Sequence, residues 1–196
     1  MSGSLPLTNF SAINFKSNQK TLVSVAEDGT QFTRQVDGQR FSFSLSYPLI
    51  KQSEFKPMMA FIMSQRSRKE TFTVTLPANF NSSGTASGTP HGTASAGATS
   101  ITLGGGASGS FKAGDIIKFA NHTKVYMIVS DHADISTGTI TIEPPLKSAI
   151  SSQNITYDSV PITVRLVSDL QEFKTNSITN TGELLFTYEI DVSEAF

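Results

Sequence analysis

At 196 residues the chain has room for one large domain or two small ones. Only 16% of it is charged, against about 25% in ordinary globular domains, and its net charge is −1, which excludes strong electrostatic steering toward nucleic acid or anionic membranes. Cysteine is absent, which excludes disulfides, thiolate metal sites and a cysteine nucleophile, so stability must come from core burial or oligomerisation. Ser, Thr, Gly and Asn replace the missing charge, a composition of β proteins that meet other proteins. The start, Met1–Phe15, is polar without a basic-then-apolar pattern, so no secretory signal is expected. No apolar run approaches the roughly 18 residues of a membrane span, and the expectation is a soluble, non-enzymatic, β-rich protein.

Val36-Asp37-Gly38-Gln39 carries an Asp-Gly pair that predicts a hairpin turn. Arg40–Tyr47 then alternates strictly, with Phe41, Phe43, Leu45 and Tyr47 on one face of a half-buried strand that Pro48 closes. At Ser53 the period changes. Phe55, Met58, Met59, Ile62 and Met63 form one apolar stripe and predict a helix over Ser53–Arg66, with Ser53 as N-cap and Pro57 tolerated in the first turn. The stripe reads as the packing or assembly face of that helix, or as an adaptable methionine-rich groove. Arg66, Arg68 and Lys69 cluster at its end, where they either cap the helix dipole or form an interface with an acidic partner. Alternation returns with Phe72, Val74 and Leu76.

Between Asn79 and Ser110 the composition shifts to Gly, Ser, Thr and Ala, which predicts a flexible linker containing one short strand, Ser100–Leu103. Apolar runs at Ile116–Phe119 and Val125–Val129 follow, then the alternating Gly138–Ile142. They predict a small β-barrel or β-sandwich at 111–157, beginning as early as 97. Clean alternation resumes at Val160–Leu166 and Leu184–Val192, separated by the polar stretch Asn176–Gly182. The expected organisation is a host β-sandwich domain of residues 1–78 and 158–196, interrupted by the linker 79–110 and the inserted domain 111–157.

Gly104–Gly109 formally matches GxGxxG, but that motif needs a strand before it and a helix N-terminus after it. It lies in the polar stretch before a further strand, so no cofactor is expected. His91, His122 and His132 do not fall at ligand spacing, and Asp131, His132 and Asp134 read as a solvated turn rather than a metal site. No nucleophile elbow supports a Ser/His/Asp triad. The sequons at Asn81, Asn121 and Asn154 carry little without a signal segment. No catalytic, cofactor or metal residue is expected.

The segments Gln39–Pro48, Phe55–Met63 and Phe72–Pro77, in strand–helix–strand order, resemble the distal tail (baseplate hub) type of tailed-phage tail protein. Residues 113–119, 124–129 and 140–146 resemble small β modules of phage structural proteins. The resemblance implies a tail-tube-like β-sandwich flanked by one α-helix. It further implies a virion protein of the tail tip, made in the host cytoplasm, that forms a homo-oligomeric ring, a hexamer, with neighbouring tail, tube or baseplate proteins as partners. Sequence-specific nucleic acid and membrane are not expected partners. A glycan-binding role for the insert is the alternative. Its aromatic residues are Phe111, Phe119, Tyr126 and Tyr157, most of which alternation assigns to a core.

Overall fold

The computed structural model describes residues 3–179 and 182–196. They are mainly β. In chain order the first elements are β1 (Ala12–Val25), β2 (Gln31–Ser46), β3 (Ile50–Lys51), helix α1 (Gln52–Ser64) and β4 (Phe72–Thr75). A 3-10 turn at Ala78–Phe80 leads into β5 (Ser87–Gly88), β6 (His91–Ala94), β7 (Ser100–Gly104), β8 (Ala107–Ser108), β9 (Ile116–Phe119), β10 (Val125–Ile128), β11 (Thr139–Glu143) and β12 (Ile150–Thr156). The last strands are β13 (Pro161–Leu166), β14 (Lys174–Ile178), β15 (Leu184–Thr187) and β16 (Glu189–Glu194). Two compact units result, one of Met1–Asn9, Thr71–Val164 and Ala195–Phe196, the other of Phe10–Glu70 and Arg165–Glu194.

The first unit contains a closed six-stranded barrel in the order β10-β11-β7-β6-β12-β9. Closure leaves every stave with a neighbour on each side. One face of each stave fills the interior. Ile101, Phe111, Ile117, Phe119, Tyr126, Ile128, Ile140 and Ile142 are buried there at 0 to 1% exposure. Gly92 is what lets the interior close: a Cβ there would stand 2.8 Å from the Phe119 ring and 3.0 Å from Ile101. In the same unit β4 pairs with β13 from Thr75↔Pro161 to Phe72↔Val164, and Leu5 N–H donates to the Thr73 carbonyl.

The barrel corrects the expected linker. Residues 79–110 contribute β5, β6, β7 and β8, and β6 and β7 are barrel staves. A segment this poor in large side chains is ordered because each stave needs only one apolar face, which Ile101 and Leu103 supply while the ladder satisfies the backbone. Its entrance is held by a polar knot. Asp115, 3% exposed, accepts hydrogen bonds from the Ser82 and Ser83 hydroxyls and from the Ser83 and Lys112 backbone N–H groups, at 2.7 to 2.9 Å.

In the second unit β1 and β2 form one long antiparallel hairpin, and β16 pairs with the far side of β2. The turn is a second correction. The chain reverses at Ala26–Thr30, where Ala26 N–H donates to the Thr30 carbonyl at 2.9 Å and Asp28 Oδ1 accepts from Thr30 N–H. The expected turn at Asp37-Gly38 lies instead within β2, where the register shifts between Asn18 and Lys20 and Gly38 takes a φ of +107°. Register decides between the two Asp-Gly pairs, since the observed turn sets Phe15 opposite Phe43, ring centroids 5.2 Å apart.

Helix α1 begins one residue before Ser53, and Lys51 is the N-cap residue without a side-chain bond. Ser53 therefore does not cap; its hydroxyl donates to Glu183 at 2.9 Å, so an acidic residue from the turn before β15 sits at the positive end of the helix. Pro57 falls in the second turn rather than the first, where its ring removes the bond that the Ser53 carbonyl would accept. The helix ends at Ser64 with no basic residue in its last turn. Arg66, Arg68 and Lys69 come after it, in a turn where Arg66 and Ser67 both have positive φ.

Candidate assembly surface

Alternation in β2 buries Phe41, Phe43 and Leu45 in the proximal part of the hairpin. Beyond the bulge the apolar residues lie at the surface. All residues from 16 to 35 are exposed, and among them Leu22, Val23, Val25 and Phe32 are 48 to 64% exposed. Opposed residues of an antiparallel pair share a face. Ser24↔Phe32 and Leu22↔Arg34 put Leu22 and Phe32 on one side, while Val23 and Val25 lie on the other. The distal hairpin is thus a two-sided arm with apolar groups on both faces, on a strand β1 that pairs with β2 alone among the described residues. Soluble monomers bury such groups, and an exposed edge is a template for another chain.

The helix face is divided. Phe55, Met58 and Ile62 are buried at 0 to 1% exposure, and Met59 is half-buried. Met63 departs from the expected stripe and is 64% exposed. Phe55 is the hub of an aromatic cluster, stacked on Phe186 at 4.4 Å and edge-on to Phe173 and Tyr188 at 5.6 and 5.8 Å. With three of its five stripe residues in the core, α1 spends its apolar face inside its own unit. Arg66, Arg68 and Lys69 are exposed, and Ser67 Oγ donates to the Asp169 carbonyl at 3.3 Å.

A groove of about 450 Å³ lies on the same unit, lined by Tyr47, Tyr188, Leu170, Gln171, Glu172 and Lys174 among others. Its floor is a stacked pair, Tyr47 and Tyr188, with centroids 6.2 Å apart. Burial pushes both phenols well above their ordinary value, and for Tyr47 the neighbouring Tyr188 adds to it. The Tyr188 hydroxyl donates to Gln171 at 2.8 Å, Glu172 pairs with Lys174 at 3.2 Å, and Asp191 accepts from Ser44. The side chains of Tyr188, Gln171, Glu172, Lys174 and Asp191 thus have internal partners.

The titratable groups of the barrel are also engaged. Asp131 accepts from Lys112 Nζ and Ala113 N–H, Asp134 from Ser136, and His132 Nε2 contacts the Thr137 carbonyl at 2.9 Å. His91 lies on β6, far in sequence from His122, whose ring nitrogens face Asn121 and Tyr126. Among the described residues no group of three His, Asp or Glu is arranged to hold a metal ion. Gly104–Gly109 runs from the end of β7 into β8, so no helix N-terminus follows the glycines. Phe111, Phe119 and Tyr126 are fully buried, which leaves the barrel no sugar-stacking platform among them. No described helix is long and apolar enough to cross a membrane.

Sequence reasoning missed two features. The arm was hidden because β1 is mostly polar, although Val23, Val25 and Phe32 already sit at strand spacing around Asp28-Gly29. Asp115 directly follows Gly114 in the sequence with nothing local to mark it, and only tertiary structure brings Ser82 and Ser83 to it.

Residues 78–156 match the family model described as distal tail protein pb9, B domain. The match takes in the 3-10 turn and all strands from β5 to β12, and so covers the whole barrel together with its Gly/Ser/Thr-rich entrance. A search of the curated proteins gives no match to this chain.

Proposed function

We propose that this chain is a phage distal tail protein, a non-enzymatic subunit of a homo-oligomeric ring at the tail tip or baseplate that continues the tail tube and anchors neighbouring tail proteins. The phage tail structural role rests on the B-domain match. The ring reading is supported above all by the two-faced arm, because Leu22 and Phe32 on one side and Val23 and Val25 on the other need two neighbouring surfaces or one that clasps the arm. A cyclic, heterologous contact meets that need, since each subunit both gives and receives an arm. The ring in this reading is a hexamer, as the resemblance implies. In this reading Arg66, Arg68, Lys69 and the exposed Met63 contribute polar and apolar contacts to neighbouring proteins, and neither nucleic acid sequence nor membrane is recognised.

The test is negative-stain microscopy with multi-angle light scattering on the full chain. Closed rings with a central opening are expected. Replacing Leu22, Val25 and Phe32 together by Lys is expected to give folded monomers, with the thermal transition kept. A wild-type chain that stays monomeric at high concentration would sink the ring reading. A triple variant that still closes into rings would sink the arm as the ring contact.

A further inference from the structure

Four hydrogen bonds at one rim of the barrel form a single directed relay, and the fixed partners at its two ends settle the direction. Asn121 Nδ2 donates to the Ala149 carbonyl at 3.0 Å, which can only accept, so the amide is oriented with Oδ1 outward. That Oδ1 lies 2.8 Å from His122 Nδ1, so Nδ1 must carry the proton. At the other end the Lys147 backbone N–H donates to the Tyr126 hydroxyl at 3.0 Å. The same hydroxyl is 2.8 Å from His122 Nε2. With Nδ1 protonated, a neutral His122 presents a lone pair at Nε2, and the Tyr126 O–H donates to it.

The relay therefore runs from Lys147 N–H through Tyr126, His122 and Asn121 to the Ala149 carbonyl. It starts and ends on one connection, the segment between β11 and β12, and passes through the turn between β9 and β10. It is a clasp between those two loops. The surroundings oppose a charge on the imidazole. Lys147 on the opposite loop and Lys118 on β9 both act on it electrostatically, Tyr126 on β10 is fully buried, and the Phe119 ring lies 5.8 Å away. Burial first, then Lys147 and Lys118, hold the imidazole below its ordinary value.

We infer that this relay is an acid-sensitive clasp, in which a proton taken up at His122 Nε2 reverses one link and releases the 145–149 connection from the 120–123 turn. Protonation gives Nε2 a hydrogen aimed at a hydroxyl that already receives the Lys147 N–H. The hydroxyl oxygen then accepts from both groups, the Tyr126 O–H turns away from the imidazole, and the new cation is opposed by burial and by the charge of Lys147 on the very loop it holds. The sign follows from linkage. The folded value lies below the unfolded one, so the unfolded or opened state binds the proton more readily, and the clasp weakens as pH falls below about 6.5.

Two measurements on the full chain test this. Nitrogen-15 NMR of the imidazoles at neutral pH is expected to show His122 protonated at Nδ1 and bare at Nε2, with His91 and His132 as internal references. Amide exchange at Lys147, corrected for intrinsic rate, is expected to lose protection by up to tenfold per pH unit from about pH 6.5 down to the His122 midpoint, to level off below it, and to stay flat in His122→Gln. A His122 bare at Nδ1 would overturn the relay, and it is read on wild-type protein whether or not the variant folds. Lys147 protection that does not follow the His122 titration would overturn the clasp.

Discussion

Strand β7 and the distal part of β1 carry apolar residues at the same two-residue spacing, yet Ile101 and Leu103 are buried whereas Val23 and Val25 face solvent. The difference is in what surrounds the strand. In the barrel each stave has a neighbour on both sides and five other inner faces opposite it, so even a Gly/Ser/Thr-rich segment closes a core. The arm has one partner strand and no opposite layer, so a pattern that would serve as a core elsewhere becomes a surface for another chain. Local alternation states that one face is apolar; topology decides whether that face is satisfied within the chain.

Substitutions can break this comparison in graded steps. Phe119→Ala removes a fully buried ring between Gly92 and Tyr126 and is expected to cost about 3–5 kcal/mol in urea unfolding. Equal stability in that variant would show that the barrel is not packed as described. On the helix, Met58→Ala is expected to cost about 2–5 kcal/mol, since Met58 is 0% exposed. Met63→Ala, at 64% exposure, should stay within about 0.5 kcal/mol. Comparable losses at the two methionines would restore the undivided stripe.

Asp115→Asn tests the polar entrance and should cost about 1–3 kcal/mol near neutral pH. Burial pulls the Asp115 carboxyl upward, but the Ser83 and Lys112 N–H groups and the Ser82 and Ser83 hydroxyls outweigh it, and the net value is lowered. Because the folded value is the lower one, the stabilisation is complete above the ordinary 3.8 and is lost as pH falls through the folded value. Urea titrations between pH 5 and about pH 2 should therefore show a slope in wild type that is smaller in Asp115→Asn. The smallest effect is expected on the arm, where Phe32→Ala should change monomer stability by no more than about 0.5 kcal/mol. Its readout is assembly, and a large loss of thermal stability in dilute monomer would mean that Phe32 packs within its own chain.

Much of the fold was legible. The strands around Phe41–Tyr47, Phe72–Leu76, Gly138–Ile142 and Val160–Leu166 were readable because each carries its apolar period within a few residues, and α1 because Phe55, Met58 and Ile62 recur at helical spacing. The site was less legible. The five-residue stripe included Met63, since periodicity marks an apolar face without saying how wide the covering layer is. The arm passed unread because exposure is a property of what is missing around a strand.

The sequence by itself determined a mainly β chain with one helix, read over Ser53–Arg66 and found at Gln52–Ser64, because side-chain period is a local consequence of backbone geometry. Only the tertiary structure decided which Asp-Gly pair turns the hairpin, that residues 79–110 close a barrel, and that Asp115 and His122 organise its loops. Those outcomes depend on register and on contacts between residues tens of positions apart, and their energies come from pairings that no local window contains.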